Sequence, residues 1–261
     1  MFIDSHCHLS FQELRAQLPA ILDAMRGAQV HQAICIATTL EEFPAVLALA
    51  EAHDHLFASV GVHPDNEGVR EPTVDELVRL AAHPKVVAIG ETGLDYYRLN
   101  GRTVADMAWQ RERFRVHIRA AQATGKPLVV HTRSSSEDTL AILKDEGRGA
   151  VRGVFHCFTE DLATAQAAID LGFHISFSGI VTFKNAQSIR DVAQAMPRDR
   201  VLIETDSPYL APVPYRGKLN TPAYVPHVAE TLAQLWNEPV AAVAATTSAN
   251  TRALFALPEA A

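Results

Sequence analysis

Short apolar runs alternate with helical repeats from one end of the chain to the other. The runs predict eight strands: FID near residue 2, QAICIAT at 32–38, LFASVGV at 56–62, VVAIGE at 86–91, LVVH at 128–131, VFH at 154–156, FHISFS at 173–178 and VLIETD at 201–206. Several are apolar at successive positions, as expected of strands covered on both faces. Between them, Leu14, Leu18, Ile21, Leu22 and Met25 fit one face of a 3.6-residue repeat, as do Phe43, Val46, Leu47, Leu49 and Ala50. Further helical patterns cover 109–123, 136–146, 160–171, 185–195, 224–236 and 239–256. Gly125 and Pro127 close the first of these, and Pro239 stands where the last can start.

Eight strand–helix units in 261 residues predict an α/β protein, a (β/α)8 TIM barrel forming a single domain over 1–261. A doubly wound sheet is the structural rival, but neither GxGxxG nor GxxxxGK[ST] occurs in the chain. Segments 63–72 and 92–108 read as rim loops. The proline-rich stretch 207–223 reads as a structured wall over the barrel mouth.

The polar residues that interrupt this pattern carry the chemistry. His6 and His8 end the first strand at i and i+2, so both imidazoles face one side and Cys7 faces away. Glu91, His131, His156 and Asp206 end four later strands, at the end where a barrel places its active site. Imidazole and carboxylate suit zinc, manganese, iron and, with more oxygen donors, magnesium. The expected metal ligands are therefore His6, His8, Glu91, His131, His156 and Asp206. Glu91 has two oxygens and can bridge two cations, and Asp206 can also take a proton from water, so these two are the expected catalytic carboxylates. Asp95 and Glu204 are expected to brace the site rather than to ligate. Paired cations about 4 Å apart suit phosphodiester hydrolysis, and the same hardware serves esters and amides.

Expected substrate contacts are Arg133, which shares strand parity with His131, and His63 at the end of strand 3. Arg216 and Lys218 in the proline-rich wall are expected to neutralise further backbone charge. Tyr96, Tyr97, Phe158 and Tyr209 are rim aromatics, available to stack on a base or to pack under a loop.

Composition narrows the setting. Apolar residues make up 48% and charged residues 20%, the balance of an ordinary soluble globular protein. No apolar stretch reaches the roughly 18 residues of a transmembrane candidate, and the N-terminus lacks signal-peptide features, so the expected location is cytoplasmic. Cys7, Cys35 and Cys157 are widely spaced and include no CxxC pair, which argues against a disulfide framework or a zinc–thiolate site. A net charge of −7 argues against nonspecific coating of a duplex but is compatible with gripping a short single-stranded end. The apolar helix faces can all be used by a monomeric barrel, and neither a membrane nor an obligate protein partner is implied.

The motifs FIDSHCHL at 2–9, SVGVHPD at 59–65, IGETGLDYY at 89–97, KPLVVHTR at 126–133, FHCFTE at 155–160 and IETDSPYLAP at 203–212 span nearly the whole chain. Together they resemble the TatD-type metal-dependent deoxyribonucleases of the amidohydrolase-like barrel superfamily. The resemblance implies one or two divalent cations. His6, His8 and Asp206 would hold one, His131 and His156 the other, with Glu91 shared. It further implies a magnesium- or manganese-dependent 3′-to-5′ exonuclease acting on single-stranded DNA ends, with zinc found in some preparations. Other members are similar to enzymes that remove D-amino acids from tRNA, so the alternative is an ester or amide hydrolase acting on such a tRNA or on a small metabolite. Two segments depart from the family pattern. Asp65 stands where a second histidine is frequent, and RGKLNTP at 216–222 carries Leu219 and Thr221 in place of a basic and an acidic side chain.

Overall fold

A computed structural model describes residues 1–259. Eight strands follow one another around a single parallel sheet in the order β1 to β8. They are β1 Phe2–Cys7, β2 Val30–Cys35, β3 Leu56–Val60, β4 Val86–Asp95, β5 Leu128–Arg133, β6 Gly153–Phe155, β7 Phe173–Phe177 and β8 Val201–Ile203. The helices are α1 Gln12–Arg15, α2 Leu18–Gly27, α3 Phe43–Ala52, α4 Val74–Ala81, α5 Ala108–Thr124, α6 Ser136–Gly147, α7 Leu162–Asp170, α8 Gln187–Ala195, α9 Val225–Trp236 and α10 Val240–Phe255. This is the (β/α)8 barrel that the alternation of patterns predicts. No helix among the described residues is long and apolar enough to cross a membrane.

The ring closes where β1 meets the segment after β8. Asp206 donates its backbone N–H to the His6 carbonyl at 2.9 Å, and His8 donates to the Ser207 carbonyl at 2.8 Å. One step deeper, the fully buried Asp4 carboxylate accepts the Thr205 N–H at 2.9 Å and meets the Thr205 hydroxyl at 2.5 Å. Asn220 fastens the proline-rich wall onto this seam by donating Nδ2 to the carbonyls of Thr205 and Tyr209.

The period of two along the strands sorts the barrel interior into layers. Ile3, Phe57, Val87, Val129, Val154 and Leu202 form one apolar cluster, with Leu254, Phe255 and Leu257 from the C-terminal end of the chain. Two residues beyond Val129, Val154 and Leu202 come His131, His156 and Glu204. The apolar layer thus supports the polar one from below. The larger cluster fills the space between sheet and helices.

The structure differs from the sequence expectation in β8, which ends at Ile203 and leaves Asp206 in the segment beyond it, and in two further features. β4 does not stop at Glu91 but runs on to Asp95. Its register against β5 shifts between Ile89 and Thr92, and Gly90 and Gly93 adopt φ of +146° and +121°. An irregularity of this kind re-aims one side chain and then lets pairing resume; here that side chain is Glu91. Secondly, the chain between β3 and β4 forms α4, which lies outside the helical patterns given above. The helix has only two turns, but Val74, Leu77, Val78 and Ala81 fall at i, i+3, i+4 and i+7, one apolar face packed on the core and legible in the sequence. A second legible signal is the cap: Thr73 accepts the Glu76 N–H, and Asp75 and Glu76 occupy the first turn.

Candidate metal centre

Glu91 is buried and central. Its Oε1 lies 2.8 Å from His156 Nε2, 3.2 Å from His131 Nδ1 and 3.3 Å from His63 Nε2. Its Oε2 lies 3.4 Å from His6 Nε2 and 3.9 Å from His8 Nε2. The two oxygens therefore face two different groups of imidazoles. Asp206 closes the second group, with Oδ1 3.5 Å from Nε2 of both His6 and His8. The Nε2 atoms of His6 and His8 are 3.2 Å apart, as their shared strand parity requires. Asp206 holds φ at +55°, a left-handed turn that aspartate tolerates better than most side chains.

The outer nitrogens of the rings are held from behind. His8 donates Nδ1–H to the Ile36 carbonyl at 3.2 Å. His131 Nε2 meets Asp95 Oδ2 at 3.0 Å, and His156 Nδ1 meets the fully buried Glu204 Oε1 at 3.2 Å. Metal-binding histidines generally anchor the distal ring nitrogen on a carboxylate or carbonyl in this way. Asp95 and Glu204 thus stand in the bracing positions expected of them. His6 stacks on His156 with ring centroids 3.9 Å apart, and its buried Nδ1 has no hydrogen-bond partner among the described residues.

His63 differs from the others. Its Nδ1 accepts the Asp65 N–H at 3.0 Å, which places the ring proton of the neutral form on Nε2. That nitrogen faces Glu91 as a donor. The loop carrying it is clamped by α5: Val62 donates its N–H to His117 Nε2 at 3.0 Å, and Arg113 donates to the carbonyls of His63 and Asn66.

Charge follows from this crowding. Burial pushes the Glu91 carboxyl up, but His156, His63 and His6 together outweigh it and hold it well below the ordinary range. Burial likewise opposes ionisation of Asp206, and His8, His6 and His156 overcome it. Burial lowers His6, with His156 adding to the effect, and burial lowers His63. For His156, His131 and His8 the adjacent carboxylates outweigh burial and raise the pKa. Ionised carboxylates facing closely spaced ring nitrogens form a donor set suited to divalent cations. Donor atoms within 4.8 Å of one another occur in the sets His6–His8–Glu91, His6–His156–Asp206 and His63–Glu91–His131.

The centre forms the floor of a cleft of about 760 Å³. Arg133 reaches this cleft, its guanidinium 3.7 Å over the Tyr97 ring. Arg98 and Phe11, which sequence reasoning did not single out, also line it. Neither belongs to a strand-end pattern; the nearby signals were only a run of two tyrosines before Arg98 and the strand-end His8 before Phe11. Arg216 and Lys218 are not brought to the cleft. Arg216 lies 3.6 Å over Phe183, and Lys218 sits beside Tyr215. Of the rim aromatics, Tyr96 and Phe158 are buried, whereas Tyr97 and Tyr209 are exposed.

The sequence profile described as TatD-related DNase matches residues 3–256. The chain belongs to this family. Among TatD-family relatives, it is 46% identical to the metal-dependent hydrolase YcfH of Escherichia coli K12 over 97% of this chain and 95% of that one. It is 33% identical to the 3′-5′ ssDNA/RNA exonuclease TatD of Escherichia fergusonii, covering 88% and 90% of the two chains. The crystal structure of YjjV, a TatD homolog from Escherichia coli K12, superposes with a TM-score of 0.90 at 30% identity, covering 98% of each chain. Membership of the TatD family and the donor set agree on a metal-dependent hydrolase that uses divalent cations.

Proposed function

We propose that this protein is a 3′-to-5′ exonuclease that removes nucleotides from single-stranded DNA ends, with magnesium or manganese as the working cation and zinc as a possible occupant. The observation that carries this reading is the two-sided arrangement about Glu91, with His6, His8 and Asp206 on one side and His131 and His156 on the other, beneath an open cleft that Arg133 enters. The name of the TatD relative supports the nucleic-acid substrate.

In this reading His6, His8, Asp206 and Glu91 would hold one cation, and Glu91, His131 and His156 would hold the other. Divalent cations in such a centre activate water and neutralise developing charge on phosphate oxygens. Asp206, ionised and at the edge of the cleft, accepts the proton of the attacking water. His63 offers its Nε2–H to a phosphate oxygen or to the leaving group, a role that its tautomer supports. Arg133 meets a phosphate with its planar fork. Arg216 and Lys218 would meet only phosphates lying outside the cleft. One chain supplies every donor, so we read the active form as a monomer without an obligate protein partner.

The test is an assay on single-stranded DNA labelled at either end, with magnesium, manganese and zinc supplied separately. Chelator and Asp206→Ala serve as controls. Metal-dependent shortening from the 3′ end, lost in both controls, is the expected result. Intact DNA in the presence of demonstrably bound metal would reject the reading and direct the search to ester and amide substrates.

A further inference from the structure

The cleft has two unlike walls. Arg98, Arg133 and Asn66, with Asp65 and the His131-bound Asp95 among them, stand on the side of β3 to β5, whereas Phe11, Ile180, Tyr209 and Leu210 stand on the side of β1, β7 and β8. Phe11 lies nearly flat on His8, with ring centroids 4.7 Å apart and planes inclined by 18°. Tyr209 meets Phe11 edge-on, at 6.3 Å and 74°, and is 57% exposed. The backbone on which Tyr209 stands is fixed at both ends: its N–H donates to the Asp206 carbonyl at 3.0 Å, and its carbonyl accepts Asn220 Nδ2 at 2.6 Å. The two rings form a corner fastened to two residues of the metal centre. The Tyr209 backbone is thus fixed, while its ring stands exposed at the cleft and its hydroxyl has no hydrogen-bond partner among the described residues.

We infer that the Phe11–Tyr209 corner seats the base of the terminal nucleotide, the one about to be released. The inference rests on the exonuclease reading and specifies how the strand lies in the site. A base has a π-face that stacks on aromatic side chains whatever its identity. A phosphate is matched by guanidinium groups. With the scissile phosphate over Glu91, the strand must leave on one side and the terminal nucleoside on the other. The retained strand brings further phosphates, so it runs along the wall that carries Arg133 and Arg98. The single terminal base is left for the aromatic wall. Phe11 offers a face next to His8, and Tyr209 closes the corner beside Asp206.

The test uses wild-type protein with manganese and single-stranded oligonucleotides that differ only in the 3′-terminal residue: adenine, thymine or an abasic tetrahydrofuran. Base-bearing ends are expected to be removed about tenfold faster than the abasic end, the scale of one base–aromatic stack. In Tyr209→Ala the ratio of the two rates falls toward one, and in Tyr209→Phe it is kept. A ratio measured within one preparation is independent of how much of a variant folds. Equal rates on base-bearing and abasic ends in the wild type would overturn the corner while leaving the exonuclease reading intact. A ratio unchanged in Tyr209→Ala would overturn it as well. No shortening of any oligonucleotide would remove the exonuclease reading and the corner together.

Discussion

Asp95 grips His131 from outside the metal centre, its Oδ2 3.0 Å from Nε2, and so turns Nδ1 of that ring toward Glu91. Its other oxygen accepts the Tyr97 N–H at 2.9 Å, which anchors the carboxylate itself. Asp95→Asn keeps the shape and the Tyr97 contact but loses the charge behind the ring. Supporting residues of this kind are worth about 10–100-fold in metal affinity. Isothermal titration of the metal-stripped variant with manganese should show a loss of that size with the fold retained. Unchanged affinity would strip Asp95 of its role.

Cation binding should also appear as stability. The donor set exists only in the folded barrel, so metal at about a hundred times its dissociation constant adds roughly 2.7 kcal/mol. Thermal unfolding should shift upward with manganese and back with chelator, and Asp206→Ala should lose most of the shift. The effect should fade in acid, because His156, His131 and His8 hold protons more strongly than free histidine and must release them to bind metal. A shift that stays as large at pH 5 as at pH 8 would contradict this.

His117 gives a separate pH dependence that needs no metal. Burial lowers its pKa from 6.5 to about 4, and its position between the Val62 N–H and the Arg113 carbonyl requires the neutral ring. Its contribution is therefore complete above pH 6.5 and is lost as pH falls toward 4, because the unfolded chain takes up the proton first. Urea unfolding of metal-free wild type and His117→Gln should give a stability gap that narrows below pH 6.5 by about 1.4 kcal/mol per pH unit. A gap constant from pH 7.5 to pH 5 would show that burial does not lower the pKa of this ring.

The path of β4 past Glu91 depends on Gly93. A Cβ there would sit 2.0 Å from the His131 carbonyl oxygen, whereas one at Gly101 would meet nothing within 4 Å. Both glycines have positive φ, so alanine is strained at each, by about 1–2 kcal/mol at Gly101 and by more at Gly93, whose φ of +121° lies beyond the left-handed helical region. Gly101→Ala should show only the former loss. Gly93→Ala must also part β4 from β5 and should lose more than about 4 kcal/mol or fail to accumulate as folded protein. Urea midpoints of the two variants make the comparison, and similar midpoints would mean that β4 shifts freely.

The legible parts of this chain were those set by short-range periodicity. The i, i+2 spacing of His6 and His8 correctly put both rings on one side, and a polar residue ending an apolar run located His131 and His156. What the sequence could not display was geometry created by chain crossings. β4 resumes pairing beyond Glu91 after a register shift between Ile89 and Thr92, and Phe11 reaches the cleft because it stacks on His8 from the turn before α1. Arg216 and Lys218 looked available by composition, yet the fold of the wall sets them on Phe183 and beside Tyr215. Short α4 was legible in principle, since Val74, Leu77, Val78 and Ala81 make one apolar helix face.

The hydrogen bond from the Asp206 N–H to the His6 carbonyl joins residues about 200 positions apart, a very non-local contact. During synthesis the two histidines emerge from the ribosome early and wait, unpaired with their carboxylates, until nearly the whole chain has followed. A stalled or truncated product ending before β8 would carry only part of a chelator and no closed barrel to hold it. Assembly of the donor group His6, His8 and Asp206 is thereby tied to completion of the ring.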